Sequence, residues 1–346
     1  MLPIKHSFFG KIDSYEILEY ELKNRNGTCV CILNYGATIT KIFSKDKYNL
    51  YKDIVLGFTN LDGYLQATNR YFGSTIGRVA NRISNSKFEL ENVIYKLNTN
   101  NNNATLHGGI KGFDKSIWGT ILNNENNSIT FNYISEDREE GFPGNLSINI
   151  NFRLTEDDEL VINYKANTDK KTHVNLTNHT YFNLSSKENN TINNHLLEIK
   201  AESYLEVDQN LIPTGKFLKV SNTNMDFRKL RKIKHDSNNL NYDHNWILDK
   251  EKDKLEQIAR LVELESGREL IVFTTMPGLQ FYAGNKINPN LEFTKSINGY
   301  NKNSGLCLET QFFPDTPNQS TFPSSILEPS SEYNHTTIYK FQTINF

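Results

Sequence analysis

No run of apolar residues in this 346-residue chain approaches the ~18 that a membrane-spanning helix needs, and the stretch from Met1 to Gly10 has no apolar signal core. A soluble, cytoplasmic protein is expected, with no membrane partner. Cysteine is scarce: Cys29, Cys31 and Cys307 form neither an even framework nor a CxxC pair. That argues against disulfide staples and structural zinc and predicts reduced, buried thiols. Charge of one sign is also lacking. With 38 basic and 40 acidic residues the formal net charge is -2, so no field is built to attract nucleic acid or anionic lipid. The chain has no GxxxxGK phosphate loop, no GxGxxG after a strand, no HExxH pair and no GxSxG elbow. Neither a cofactor nor a metal is expected.

What the chain does have is alternation of apolar and polar residues, the period of a half-buried strand. Leu146, Ile148, Ile150, Phe152 and Leu154 alternate with polar residues. After the turn-forming stretch Thr155 to Glu159 the pattern resumes at Leu160, Ile162, Tyr164 and Ala166. Similar hairpins are predicted across Glu91 and Asn92 and about Ser266 and Gly267. The best helical pattern, Asp249 to Ile258, is short and charged and reads as a surface turn. No linker or fixed repeat divides the chain, so an all-β, mainly antiparallel sandwich is expected, with residues 1–346 as one domain. The Asn-rich tracts at 98–103 and 123–127 read as exposed loops without catalytic weight.

Several short segments set hydrogen-bonding side chains among aromatic or aliphatic neighbours. His179 lies in Val174-Asn-Leu-Thr-Asn-His-Thr-Tyr-Phe-Asn-Leu184, flanked by amides and hydroxyls, and can donate or accept a proton near neutrality. Glu309 follows Gly305-Leu-Cys-Leu308, so its carboxylate needs a partner or a function, and partial desolvation would make it a stronger base. Taken singly, each has a structural explanation: a satisfied loop histidine, an edge-strand glutamate, a salt bridge between Arg82 and Asp243.

Together the segments resemble the aldose 1-epimerase (galactose mutarotase) family. The resemblance rests on Gly77-Arg-Val-Ala-Asn-Arg-Ile83, Leu106-His-Gly-Gly109 with Gly112-Phe-Asp-Lys115, Glu139-Glu-Gly-Phe-Pro-Gly144, the His179 segment and Leu211-Ile-Pro-Thr-Gly215. It continues through Asp243-His-Asn245, Pro277-Gly-Leu-Gln-Phe-Tyr282 and Leu308-Glu-Thr-Gln311, in the family's order. It implies a β-sandwich of the galactose mutarotase type and interconversion of the α and β anomers of free aldohexoses such as galactose and glucose. By resemblance His179 matches the general acid, Glu309 the general base and His107 a second active-site histidine. Asn81, Arg82, Asp243 and Gln280 match positions that hold sugar hydroxyls. Such an acid would be a charged imidazolium, favoured by a nearby carboxylate.

Three alternatives use the same residues. A non-catalytic sugar sensor would keep Asp243 and Arg82 but could lose His179 or Glu309. A two-carboxylate glycosidase would leave both histidines without a task. A hexose-6-phosphate 1-epimerase would want extra cations, for which Arg78, Lys111 and Lys115 are candidates; between the two arginines, Arg82 is favoured as the ligand contact and Arg78 as scaffold.

Overall fold

A computed structural model describes residues 3–66, 71–185, 187, 191–234 and 241–344. Strands dominate, and every pairing between strands is antiparallel. The predicted hairpin is present: Leu146–Leu154 pairs with Glu159–Thr168, placing Leu154 opposite Leu160. Burial alternates strictly along the first of these strands, as the period-2 pattern requires. The other two hairpins also form, Lys87–Leu90 with Val93–Lys96 and Glu256–Glu263 with Arg268–Thr274. The charged stretch from Asp249 is irregular chain with a turn at Lys252 and Asp253, and its end enters the strand that begins at Glu256. The one α-helix among the described residues, Leu61–Leu65, is a single turn capped by Asn60, whose side chain accepts the Gly63 N–H.

Three sheets carry most of the chain. A nine-stranded sheet contains the hairpins of residues 146–168 and 256–274, joined through the long strand Tyr333–Thr343. A five-stranded sheet runs in the order Pro213–Lys219, Ser203–Val207, Asp243–Ile247, Gly278–Tyr282 and Cys307–Gln311. A third, of residues 5–53, holds the first strands. Ile148, Ile150, Ile162 and Tyr164 from the nine-stranded sheet share one apolar cluster with Trp246, Leu279, Phe281 and Leu308 from the five-stranded sheet. Two sheets layered on a common core make the expected sandwich. Each such buried aliphatic or aromatic side chain contributes about 1.5–3 kcal/mol.

That layering positions the site. On Gly278–Tyr282 and Cys307–Gln311, alternate residues point inward as Leu279, Phe281 and Leu308, so Gln280, Tyr282, Cys307 and Glu309 face the other way. All three cysteines are buried and free. Among the described residues, no helix is long and apolar enough to cross a membrane.

Candidate active site

The outer face of the five-stranded sheet is covered by the segments around Asn81, His107 and His179. Thr177–Asn178 pairs with Thr75–Ile76, and His179 is held by its own backbone: its N–H donates to Ser74 O and its carbonyl accepts from Gly73 N. Arg82–Ile83 pairs with Thr105–Leu106, and the residues just outside this short ladder, Asn81 and His107, both take left-handed backbone (φ 63° and 52°). Asn and His tolerate that region better than most residues. Gly108 beside them has no alternative, because a Cβ there would lie 1.9 Å from Gly77 O.

Between these elements lies a cavity of about 150 Å³, lined by Tyr71, Asn81, Arg82, His107, His179, Asp243 and Glu309 among others. Six of the seven expected site residues are on its wall. Gln280 is not; it stands behind Asp243, donating Nε2–H to Oδ1 at 2.9 Å, and its own Oε1 has no partner. Asp243 Oδ2 faces two cations, Arg82 Nη2 at 3.9 Å and Lys286 Nζ at 3.6 Å.

At the floor, His179 Nε2 lies 3.7 Å from Glu309 Oε1, with Glu309 only 2 % and His179 5 % exposed. The other imidazole nitrogen, Nδ1, is 3.4 Å from Cys307 Sγ. Glu309 Oε2 is buried with no hydrogen-bond partner. His107 crosses His179 edge-on with ring centroids 5.2 Å apart. Its Nδ1 accepts the Asn81 backbone N–H at 3.2 Å, which puts the proton of the neutral ring on Nε2. The ligating atoms of His107, His179 and Glu309 all lie within 4.8 Å of one another, a spacing that would also admit a metal ion.

The electrostatics correct one expectation. Burial pushes His179 down to about 4, although a hydrogen bond to its own backbone and the Asp243 charge both oppose this. The imidazole of the free site is therefore neutral at pH 7, not the charged imidazolium that the nearby carboxylates suggested. Burial pushes the Glu309 carboxyl well above the usual carboxylate range, the Asp243 charge adds to this, and Arg82 opposes it. His107 is held well below the usual histidine range by burial and then by the His179, Arg82 and Lys115 charges.

Other expectations resolve by location. Arg78 is buried and its guanidinium donates to the carbonyls of Pro143, Gly144, Ser135 and Glu136, so it braces a loop. Lys111 and Lys115 do not line the cavity. The Asn tract given no weight contributes after all: Asn101 lines the cavity and accepts from Arg82 Nε at 3.3 Å, while Asn100 clamps Leu106 through both N–H and carbonyl. Tyr181 and Lys286 were also missed as cavity residues. The aromatics carried no signal separating wall from core.

The profile of the aldose 1-epimerase family matches residues 19–340. The chain belongs to the aldose 1-epimerase family. It is 45 % identical to human galactose mutarotase over 348 residues, covering 99 % of both chains, and 34 % identical to the aldose 1-epimerase of Escherichia coli K12 over 335 residues, 92 % of this chain and 94 % of that one. Among solved structures, an aldose epimerase homologue from C. elegans superposes with a TM-score of 0.87 at 30 % identity, covering 94 % of this chain and 98 % of the other. Galactose 1-epimerase from Lactobacillus acidophilus gives 0.85 at 27 %, over the whole of both chains. As an aldose 1-epimerase the chain is an isomerase that interconverts sugar anomers.

Proposed function

We propose that His179 and Glu309 form the acid–base pair that opens and recloses the pyranose ring of free aldohexoses, galactose and glucose among them. The observation that carries this reading is the unpartnered Glu309 Oε2, buried at the floor of a polar cavity beside His179 Nε2. A buried acceptor left without a donor costs about 1–3 kcal/mol, and a sugar hydroxyl supplies the missing donor.

Ring opening removes a proton from the C1 hydroxyl and delivers one to the ring oxygen. In the minority form of the free site that carries the pair's one proton on His179, Glu309 as carboxylate takes the first and His179 as imidazolium gives the second, leaving a carboxylic acid and a neutral imidazole. That product state has the protonation favoured in the free site, with Glu309 raised and His179 lowered. After the aldehyde rotates about C1–C2, the acid returns its proton to the C1 oxygen while His179 takes the C5 hydroxyl proton. The pair holds one proton throughout, so no cofactor or metal has to reset it. Each transfer is typically worth ~10²–10⁴-fold.

Around this pair, Asp243 accepts from sugar hydroxyls while Arg82 and Asn81 donate, and His107 Nε2–H donates into the same cavity. Gln280 acts one step back, by orienting Asp243. Residues 1–346 work as one domain, a reading supported by an apolar cluster that draws on residues from Ile4 to Phe341. The free thiols support the cytoplasm as its location. Polarimetry of freshly dissolved α-D-galactose and α-D-glucose tests the substrate: rotation should relax faster than in buffer alone. An unchanged rate with both sugars would exclude these substrates.

A further inference from the structure

We propose that Cys29, Cys31 and Glu21 form a binding site for a thiophilic divalent cation, zinc being the representative, on the first sheet. None of the three lines the sugar cavity. Cys29–Leu33 lies between Tyr15–Lys23 and Thr38–Lys45, and its Val30 and Ile32 enter the main core. Strand alternation therefore turns Cys29 and Cys31 together to the opposite face. On that face Glu21 stands directly across from Cys31 on one neighbour, and Lys41 directly across on the other.

The two Sγ atoms and a Glu21 carboxylate oxygen all lie within 4.8 Å of one another. Tetrahedral zinc, with bonds of ~2.3 Å to sulfur and ~2.1 Å to oxygen, wants its ligands ~3.5–3.8 Å apart. Side-chain rotation of up to ~1 Å closes that gap without moving the backbone. A disulfide suits the pair less well, because residues i and i+2 of an extended strand are ~6.6 Å apart at Cα, near the limit of disulfide reach, with parallel Cβ directions.

Both thiols lose their protons on binding, so one dication replaces two protons, and two thiolates with one carboxylate leave the complex at a net charge of minus one. Lys41, paired with Glu19 at 2.7 Å, sits on the same face. Glu21 is half-buried, so its side of the site is open to a water as fourth ligand. Three ligands from two neighbouring inner strands would cross-link the sheet, and any species bound to the folded state alone raises its stability.

The test titrates the full chain, kept reduced, with Cd²⁺ and follows thiolate-to-cadmium absorption, with Zn²⁺ as competitor. One equivalent should bind, be displaced by zinc, and raise the melting temperature. The band should vanish in Cys29→Ser and in Cys31→Ser and persist in Cys307→Ser, which separates this site from the cluster at His179. In Glu21→Gln, cadmium affinity should fall at least ~tenfold. Absence of the band in the wild type, or an undiminished band in both Cys29→Ser and Cys31→Ser, overturns the proposal. Glu21→Gln changes only a half-buried side chain and keeps both thiols, so it decides the matter if the cysteine variants do not fold; unchanged affinity there also overturns it.

Discussion

Replacing Glu309 by Gln separates chemistry from architecture at this site. The amide keeps the shape of the side chain but cannot accept and return a proton, so kcat should fall by the value of one acid–base group, ~10²–10⁴-fold, or about 2.7–5.4 kcal/mol of barrier. Stability should behave differently. Glu309 is 2 % exposed, its Oε1 lies 3.7 Å from His179 Nε2, and burial holds it toward the neutral acid. Exchanging the carboxyl for an amide of equal size adds no buried charge and leaves no cavity, so the melting temperature should stay within a few degrees, equivalent to less than about 1 kcal/mol. The assay pairs polarimetric kcat on α-D-galactose with thermal unfolding at pH 7. A kcat within tenfold of wild type would refute the role given to Glu309. A large fall in both kcat and melting temperature would show that the carboxylate holds the fold, contrary to the argument.

The pH profile of kcat/KM should be a bell whose active form carries one proton on the pair. A second proton reaches His179 only near pH 4, and the last leaves Glu309 above the usual carboxylate range, so activity should fall on either side of that window. A rate still level well below pH 4 would contradict this. Asp243→Asn removes a charge that raises both groups, so in stopped-flow or polarimetric profiles both limbs should move to lower pH; opposite movements would show that Asp243 does not couple to the pair. Arg78→Ala orphans several buried carbonyls and should cost at least about 3 kcal/mol in urea unfolding, with little change in KM for the molecules that remain folded. A loss below about 1 kcal/mol would mean that water replaces the guanidinium.

How much of this was legible in the sequence follows the range of the interactions. The hairpin at residues 146–168 was readable because alternation and turn chemistry are local and agree. The single turn Leu61–Leu65 is too short to show a helical period. The site residues could be named from motifs, but their assembly depends on pairing between distant strands: Glu309 stands opposite Gln280, and Gln280 opposite Asn245. Asn101 was hidden because a run of asparagines looks alike along its length, and only the fold turns one of them toward Arg82. The charge on His179 was misjudged because carboxylates are visible in sequence while desolvation is not.

The central claim is that His179 and Glu309 act as one proton-sharing unit, and a double-mutant cycle measures it most directly. Single-turnover mutarotation of α-D-galactose would be compared for wild type, His179→Asn, Glu309→Gln and the double variant. A shared unit predicts that each single change costs ~10²–10⁴-fold and that the double variant is scarcely slower than the worse single one. Losses that multiply, with the double variant slower by the product of the two, would mean that the residues contribute independently and would contradict the account.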